Sequence, residues 1–149
     1  MKLQSFKILM FILIKVLFSN ASFVYAETAE EYWNIGNVYY DQGNSVQAIS
    51  DFTKAIGINP KYAEAYNNRG LAYDDQGNSV QAISDFSKAI EINPKYAEAY
   101  YNRGYIYYKQ DEFTQANSDL TKAIAINPNL VEDYGKLLDK QVFGISVHK

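Results

Sequence analysis

The chain has 149 residues, no cysteine and a formal charge of −3. Disulfides, thiolate metal sites and thiol nucleophiles are therefore excluded. Lys2, Lys7 and Lys15 all lie in the first 26 residues, and the remainder carries 11 cationic against 17 acidic side chains. A balance of −6 makes that remainder a poor partner for nucleic-acid phosphates.

Residues 1–26 read as a secretory signal: Lys2 and Lys7 give a positive start, Ile8 to Phe18 is mostly apolar, and Val24-Tyr25-Ala26 fits a small-residue cleavage site. Lys15 interrupts the apolar run, a defect that costs about 2.5–3.5 kcal/mol at the centre of a spanning helix. The run also breaks up at Ser19-Asn20, short of the about 20 apolar residues that an anchor needs. The expectation is an exported protein, periplasmic or secreted, with cleavage leaving Glu27 first. Retention as a membrane anchor through residues 8–25 is the alternative, and only that would give the chain a membrane partner.

The rest of the chain is organised by repetition. Asp41 to Tyr66 recurs 34 positions later as Asp75 to Tyr100, with only Thr53/Ser87 and Gly57/Glu91 differing, and a looser third copy runs from Asp111 to Pro128. A fixed period in this range marks a solenoid, whose units touch only their neighbours and build a continuous core from about three repeats upward. The punctuation predicts two helices per repeat. Gly43 and Gly77 follow a helix as C-terminal caps, and Asn44 with Gln47, like Asn78 with Gln81, fits the capping-box pattern that opens the next. Asn59-Pro60, Asn93-Pro94 and Asn127-Pro128 then end the second helix, because the residue before proline avoids the helical region. In the third repeat Asp111-Glu112 replaces Gly-Asn, which predicts a less well capped turn.

At helical spacing, Tyr32, Gly36, Tyr39, Ala48, Phe52, Ala55 and Pro60 are matched by Tyr66, Gly70, Tyr73, Ala82, Phe86, Ala89 and Pro94. The third set is Tyr100, Gly104, Tyr107, Ala116, Leu120, Ala123 and Pro128. Small residues stand where two helices must approach closely, and large ones fill the facing gap. These aromatic residues are core residues first, and no cofactor box. In these positions the sequence resembles the tetratricopeptide repeat (TPR) family. The resemblance implies an all-α, right-handed superhelix of antiparallel helix pairs, with repeats at residues 29–62, 63–96 and 97–130. It also implies a capping helix over 131–143, where Val131, Tyr134, Leu138 and Val142 share one face. Residues 27–143 then form the repeat domain and 144–149 a tail.

Catalytic machinery is scarce. His148 is the only histidine and lies in the tail; no metal-motif spacing, glycine-rich phosphate loop or Gly-x-Ser-x-Gly occurs. The reading is a non-enzyme without cofactor or metal; Asp41, Asp74 and Asp75 are taken as solvated acids, for want of a ligand-rich loop around them.

What remains is a surface. In tetratricopeptide proteins the first helices of successive repeats line a concave groove that takes an extended peptide or a partner helix. The resemblance puts Trp33, Asn37, Tyr40 and Asp41 of the first repeat in that groove, with Asn67, Leu71, Asp74 and Asp75 of the second and Tyr101, Tyr105, Tyr108 and Lys109 of the third. The family's chaperone-tail clamp grips a carboxylate with three cations and two asparagines. Asn37 and Asn68 fill the asparagine positions, but Trp33, Glu98 and Asn102 stand in the cationic ones. The expected partner is therefore a basic or neutral protein segment with apolar side chains, not an acidic chaperone tail. The rival expectation is a structural protein that self-assembles end to end through its near-identical faces.

Overall fold

A computed structural model describes residues 28–130 and Met10. The leader, the capping helix at 131–143, the tail and His148 lie outside the described residues. Within them the chain is all-α: α1 (Ala29–Asp41), α2 (Ser45–Ile58), α3 (Ala63–Asp75), α4 (Ser79–Ile92), α5 (Ala97–Lys109) and α6 (Phe113–Ile126), followed by a single 3-10 turn at Pro128–Leu130. Each helix packs on the next in sequence, and α1 also touches α3, so the first helices form one layer and the second helices another. None of these helices is long and apolar enough to cross a membrane.

The turns inside each repeat follow from backbone chemistry. Gly43 and Gly77 adopt φ of +75°, which allows Gly43 N–H to bond Tyr40 O at 2.8 Å and Asn44 N–H to reach Tyr39 O at 2.8 Å. This pair of bonds satisfies carbonyls that the helix end leaves open. The asparagines then cap α2 and α4: Asn44 Oδ1 accepts from Gln47 N at 3.2 Å, and Asn78 Oδ1 from Gln81 N at 3.3 Å. The reciprocal half of the predicted box is replaced in the first repeat, where the Gln47 amide reaches forward to Asp51 Oδ2 at 3.0 Å. A complete box opens α1 instead, from Thr28 to Glu31. In the third repeat Asp111 takes φ of 60° in the glycine position, and Glu112 gives α6 no side-chain cap.

The core is a row of interlocked small and large residues. A Cβ on Gly36 would stand 2.6 Å from Phe52 Cε1, one on Gly70 2.7 Å from Phe86 Cε1, and one on Gly104 2.9 Å from Leu120 Cγ. The close approach of first and second helices thus requires glycine opposite a ring or a leucine, and Phe52, Phe86 and Leu120 are fully buried by it. Ala48, Ala55, Ala82, Ala89, Ala116 and Ala123 line the same seams without exposure beyond 1%.

Candidate functional site

Of three buried carboxylates, Asp51, Asp85 and Asp119, the last two fix how the helices are set against one another, and sequence reasoning singled out none of them. Asp85 on α4 accepts two bonds from Arg69 on α3, Nε to Oδ2 at 2.7 Å and Nη2 to Oδ1 at 2.8 Å; the third nitrogen, Nη1, reaches Thr53 Oγ1 on α2 at 3.0 Å. Arg103 repeats this with Asp119 at 2.7 and 2.8 Å and with Ser87 Oγ at 2.8 Å. Each arginine therefore joins both helices of its own repeat to the last helix of the repeat before. A planar guanidinium suits this, since its fork matches a carboxylate and leaves a donor over. Ile35 stands in the arginine position of the first repeat, and its buried Asp51 takes Lys54 Nζ at 2.8 Å instead. The recurrence of Arg69 and Arg103, and of Asp51, Asp85 and Asp119, at the 34-residue period was the available signal.

On this frame the first helices α1, α3 and α5 carry the predicted groove residues. An asparagine ladder crosses them: Asn68 Nδ2 donates to Asn37 Oδ1 at 2.7 Å, Asn67 Nδ2 to Asn68 Oδ1 at 3.1 Å, and Asn102 Nδ2 to Asn67 Oδ1 at 3.0 Å. Asn67 is only 4% exposed, so its amide ties neighbouring repeats together and is withdrawn from surface contact. The offset between the two inter-repeat bonds has a simple cause. Leu71 occupies the position equivalent to Asn37 and cannot accept, so Asn102 turns to Asn67.

The aromatic residues divide into anchored and presented ones. Trp33 is half-buried against the Ala48, Phe52 and Ala72 cluster, its ring 5.8 Å from that of Tyr62, and its indole N–H is buried with no acceptor. Tyr40 packs on the same cluster, while Leu71 joins Ala82, Phe86 and Ile106. Tyr101 and Tyr108 pack on Ala116 and Leu120, and Tyr108 meets the edge of Phe113 at 6.0 Å. Tyr105 is exposed, and so is Phe113, which adds a ring where the first two repeats carry Ser45 and Ser79.

The C-terminal ends of the three first helices are acidic, then basic. Asp41 ends α1 and is exposed, Asp74 and Asp75 end α3, and Lys109 ends α5. Burial, a hydrogen bond to Asp75 and the charges of Asp75, Asp74 and Asp41 push the Tyr40 phenol up to about 12. Lys109 Nζ lies 2.9 Å from both carboxylate oxygens of Asp74 and 5.1 Å from the centre of the Tyr105 ring. Among the described residues no group of three or more His, Cys, Asp or Glu is placed to hold a metal. A depression of about 420 Å³ beside Tyr66 and Gln81 is lined by Arg69, Asp85, Lys88 and Glu91, whose charges pair with one another.

Residues 63–96 and 97–130 match the tetratricopeptide repeat model, and residues 36–77 match a second TPR repeat model. Among solved structures, the chain resembles the crystal structure of MamA at 30% identity and a TM-score of 0.65, the match covering 70% of this chain and 61% of that one. It also resembles the first TPR of Spaghetti (RPAP3) bound to the HSP90 peptide SRMEEVD, at 26% identity, a TM-score of 0.73, and 83% and 99% coverage. The Arabidopsis OM64 TPR domain matches at 27% identity and a TM-score of 0.71, covering 76% of this chain and 96% of that one. No curated protein matches.

Proposed function

Because the chain belongs to the tetratricopeptide repeat family, we propose that it is a non-catalytic protein-binding module whose groove takes an extended segment or a partner helix that is basic or neutral and carries apolar side chains. The observation that carries this reading is the pairing, on consecutive first helices, of the exposed Tyr105 ring and half-buried Tyr40 and Leu71 with Asp41, Asp74 and Asp75. Rigid rings give contact area at low entropic cost, and unlike charge selects the partner. A similar structure holds the peptide SRMEEVD, which supports a peptide as the ligand class. Here Trp33, Glu98 and Asn102 stand where a carboxylate clamp needs cations, which favours a basic segment over that acidic one.

Trp33 is the only tryptophan, so its fluorescence reports on the groove wall. The test selects short random peptides on the purified protein and titrates the winners against wild type and Tyr105→Ala, with SRMEEVD as the acidic control. Loss of about tenfold or more in affinity for the folded variant is expected, as for a ring at a binding hot spot. Unchanged affinity would remove Tyr105, and the groove with it, from the reading.

End-to-end assembly draws less support. The stacking contact inside the chain uses an arginine from the following repeat, and Ile35 occupies that position on the face a second copy would meet. Export is part of the proposal and rests on the leader-like residues 1–26. N-terminal sequencing of protein recovered from cell-envelope or secreted fractions should read from Glu27.

A further inference from the structure

The groove rim breaks a local rule and then repairs it with an internal cation. Carboxylates at a helix C-terminus oppose the helix dipole, yet α1 ends in Asp41 and α3 in Asp74-Asp75. Sequences violate such preferences mainly where function asks for it. At the equivalent position of α5 the aspartate is exchanged for Lys109, whose ammonium reaches back 35 residues to lie against both oxygens of Asp74. One turn earlier on α5, Tyr105 presents its ring to the same ammonium at 5.1 Å. Carboxylate and ring face together make a receptor for a cationic side chain, and both are covered by a residue of this chain.

We propose that Lys109 is an intramolecular stand-in for a partner's cation: its ammonium fills, at Asp74 and over Tyr105, the place that a lysine or arginine of the bound segment takes. The inference rests on the groove reading above and deepens it, because binding becomes an exchange of one cation for another. Asp74 is the carboxylate on α3 that an ammonium already reaches, and so the one open to exchange. Lys109 and Asp74 are 40% and 20% exposed, which leaves the pair open to an incoming side chain. The device also sets a threshold. A segment without a cation leaves Lys109 in place and finds the Tyr105 face covered; a segment with one releases both.

The test takes the tightest lysine- or arginine-bearing peptide from the selection above and measures its affinity, by Trp33 fluorescence at low and high salt, for wild type, Lys109→Met and Asp74→Asn. Lys109→Met is expected to bind about threefold to tenfold more tightly, since an exposed ion pair and an exposed cation–ring contact no longer have to be broken. Its salt dependence should be steeper, and Asp74→Asn should bind more weakly than wild type. Equal affinity for wild type and Lys109→Met overturns the exchange while groove binding stands. Weaker binding by Lys109→Met also overturns it, because Lys109 would then be a contact of the partner. A selection that returns only peptides without a cation overturns it as well. Failure of every peptide to bind, or binding indifferent to Tyr105→Ala, brings down the groove reading and the exchange together.

Discussion

Arg69→Met is the perturbation that asks most of the structure. It keeps the length of the stem and removes the guanidinium, so Asp85, whose side chain is 7% exposed, loses both short bonds and the one cation paired with it among the described residues, while Thr53 loses its inter-repeat donor. Stripping one partner from a buried pair costs about 3–5 kcal/mol, because the remaining charge stays desolvated. Against a total of roughly 5–15 kcal/mol for a domain of this size, that is a large share. Urea unfolding followed by circular dichroism measures the loss directly, and the thermal midpoint should fall by at least about 12 °C. Replacing both partners, as Arg69→Met/Asp85→Leu, should recover most of it, since an apolar pair of similar volume asks for no solvation. Lys54→Met is the internal control. Asp51 keeps the Gln47 amide and Lys54 is half-exposed, so about 1–2 kcal/mol is expected there. A loss below about 1 kcal/mol for Arg69→Met would refute the claim that these arginines lock the repeats.

Glycine substitutions should separate by sign: Gly70→Ala drives a Cβ to 2.7 Å from the buried Phe86 ring and should cost about 1–3 kcal/mol in urea unfolding, whereas Gly57→Ala, in open space on α2, should gain about 0.5–1 kcal/mol. Asp111→Gly/Glu112→Asn restores the turn of the first two repeats and should stabilise by about 1–2 kcal/mol in the same assay; a loss would mean that the bond Glu112 accepts from Gln115 Nε2 at 2.8 Å is what holds this turn. Alkaline titration by phenolate absorbance should show Tyr40 and Tyr96 ionising late, both near 12, Tyr96 through burial and then Glu64 and Glu98. Their raised values favour the neutral phenol in the fold, so the stability they lend is complete below pH 10 and is lost as pH rises through about 12. Tyr40→Phe should remove one late-ionising group from that titration.

The helices and the core were legible because they rest on local and periodic signals. Gly36 opposite Phe52 and Gly43 in a left-handed turn leave marks that a single repeat displays and the next repeats confirm. The proposed groove positions fall on the first helices, but which of them are exposed was less legible. Nothing local distinguishes Asn67, nearly buried and spent on Asn68 and Asn102, from Tyr105, which is exposed; both follow from what the adjacent repeat places against them. Arg69 and Asp85 are 16 residues apart on different helices, at a spacing that no helical wheel pairs, so their ion pair emerges only from the packing angle. Phe113 was passed over because the first two repeats carry serine in its place.

Of the two positions that differ between the near-identical repeats, one touches an arginine of this kind and the other touches the lysine it displaces. Ser87 stands where the first repeat has Thr53, and in both cases the hydroxyl receives the guanidinium of the following repeat. Glu91, where the first repeat has Gly57, receives the lysine that the arginine displaces. In the first repeat, Ile35 leaves Asp51 to Lys54, whose ammonium also covers the Tyr32 ring at 5.0 Å. In the second, Arg69 claims Asp85 and covers Tyr66 at 5.5 Å, so the equivalent Lys88 is displaced and finds Glu91 at 2.8 Å. The third repeat separates cause from coincidence: Arg103 claims Asp119, but Ala125 offers no carboxylate and Lys122 is left exposed. The buried aspartate is thus held by a cation from either source, Lys54 for Asp51 and an arginine for Asp85 and Asp119, and Glu91 is an accommodation of the lysine that Arg69 displaces. Glu91→Gly should therefore cost less than about 0.5 kcal/mol beyond the helix penalty of glycine, as a surface i, i+3 pair predicts. Introducing Ile35→Arg should draw Asp51 away from Lys54, and the ring-current shift of Tyr32 and the Lys54 ammonium signals in NMR would register the exchange. Lys54 signals that stay unchanged in a folded Ile35→Arg variant would break the proposed link between the two positions.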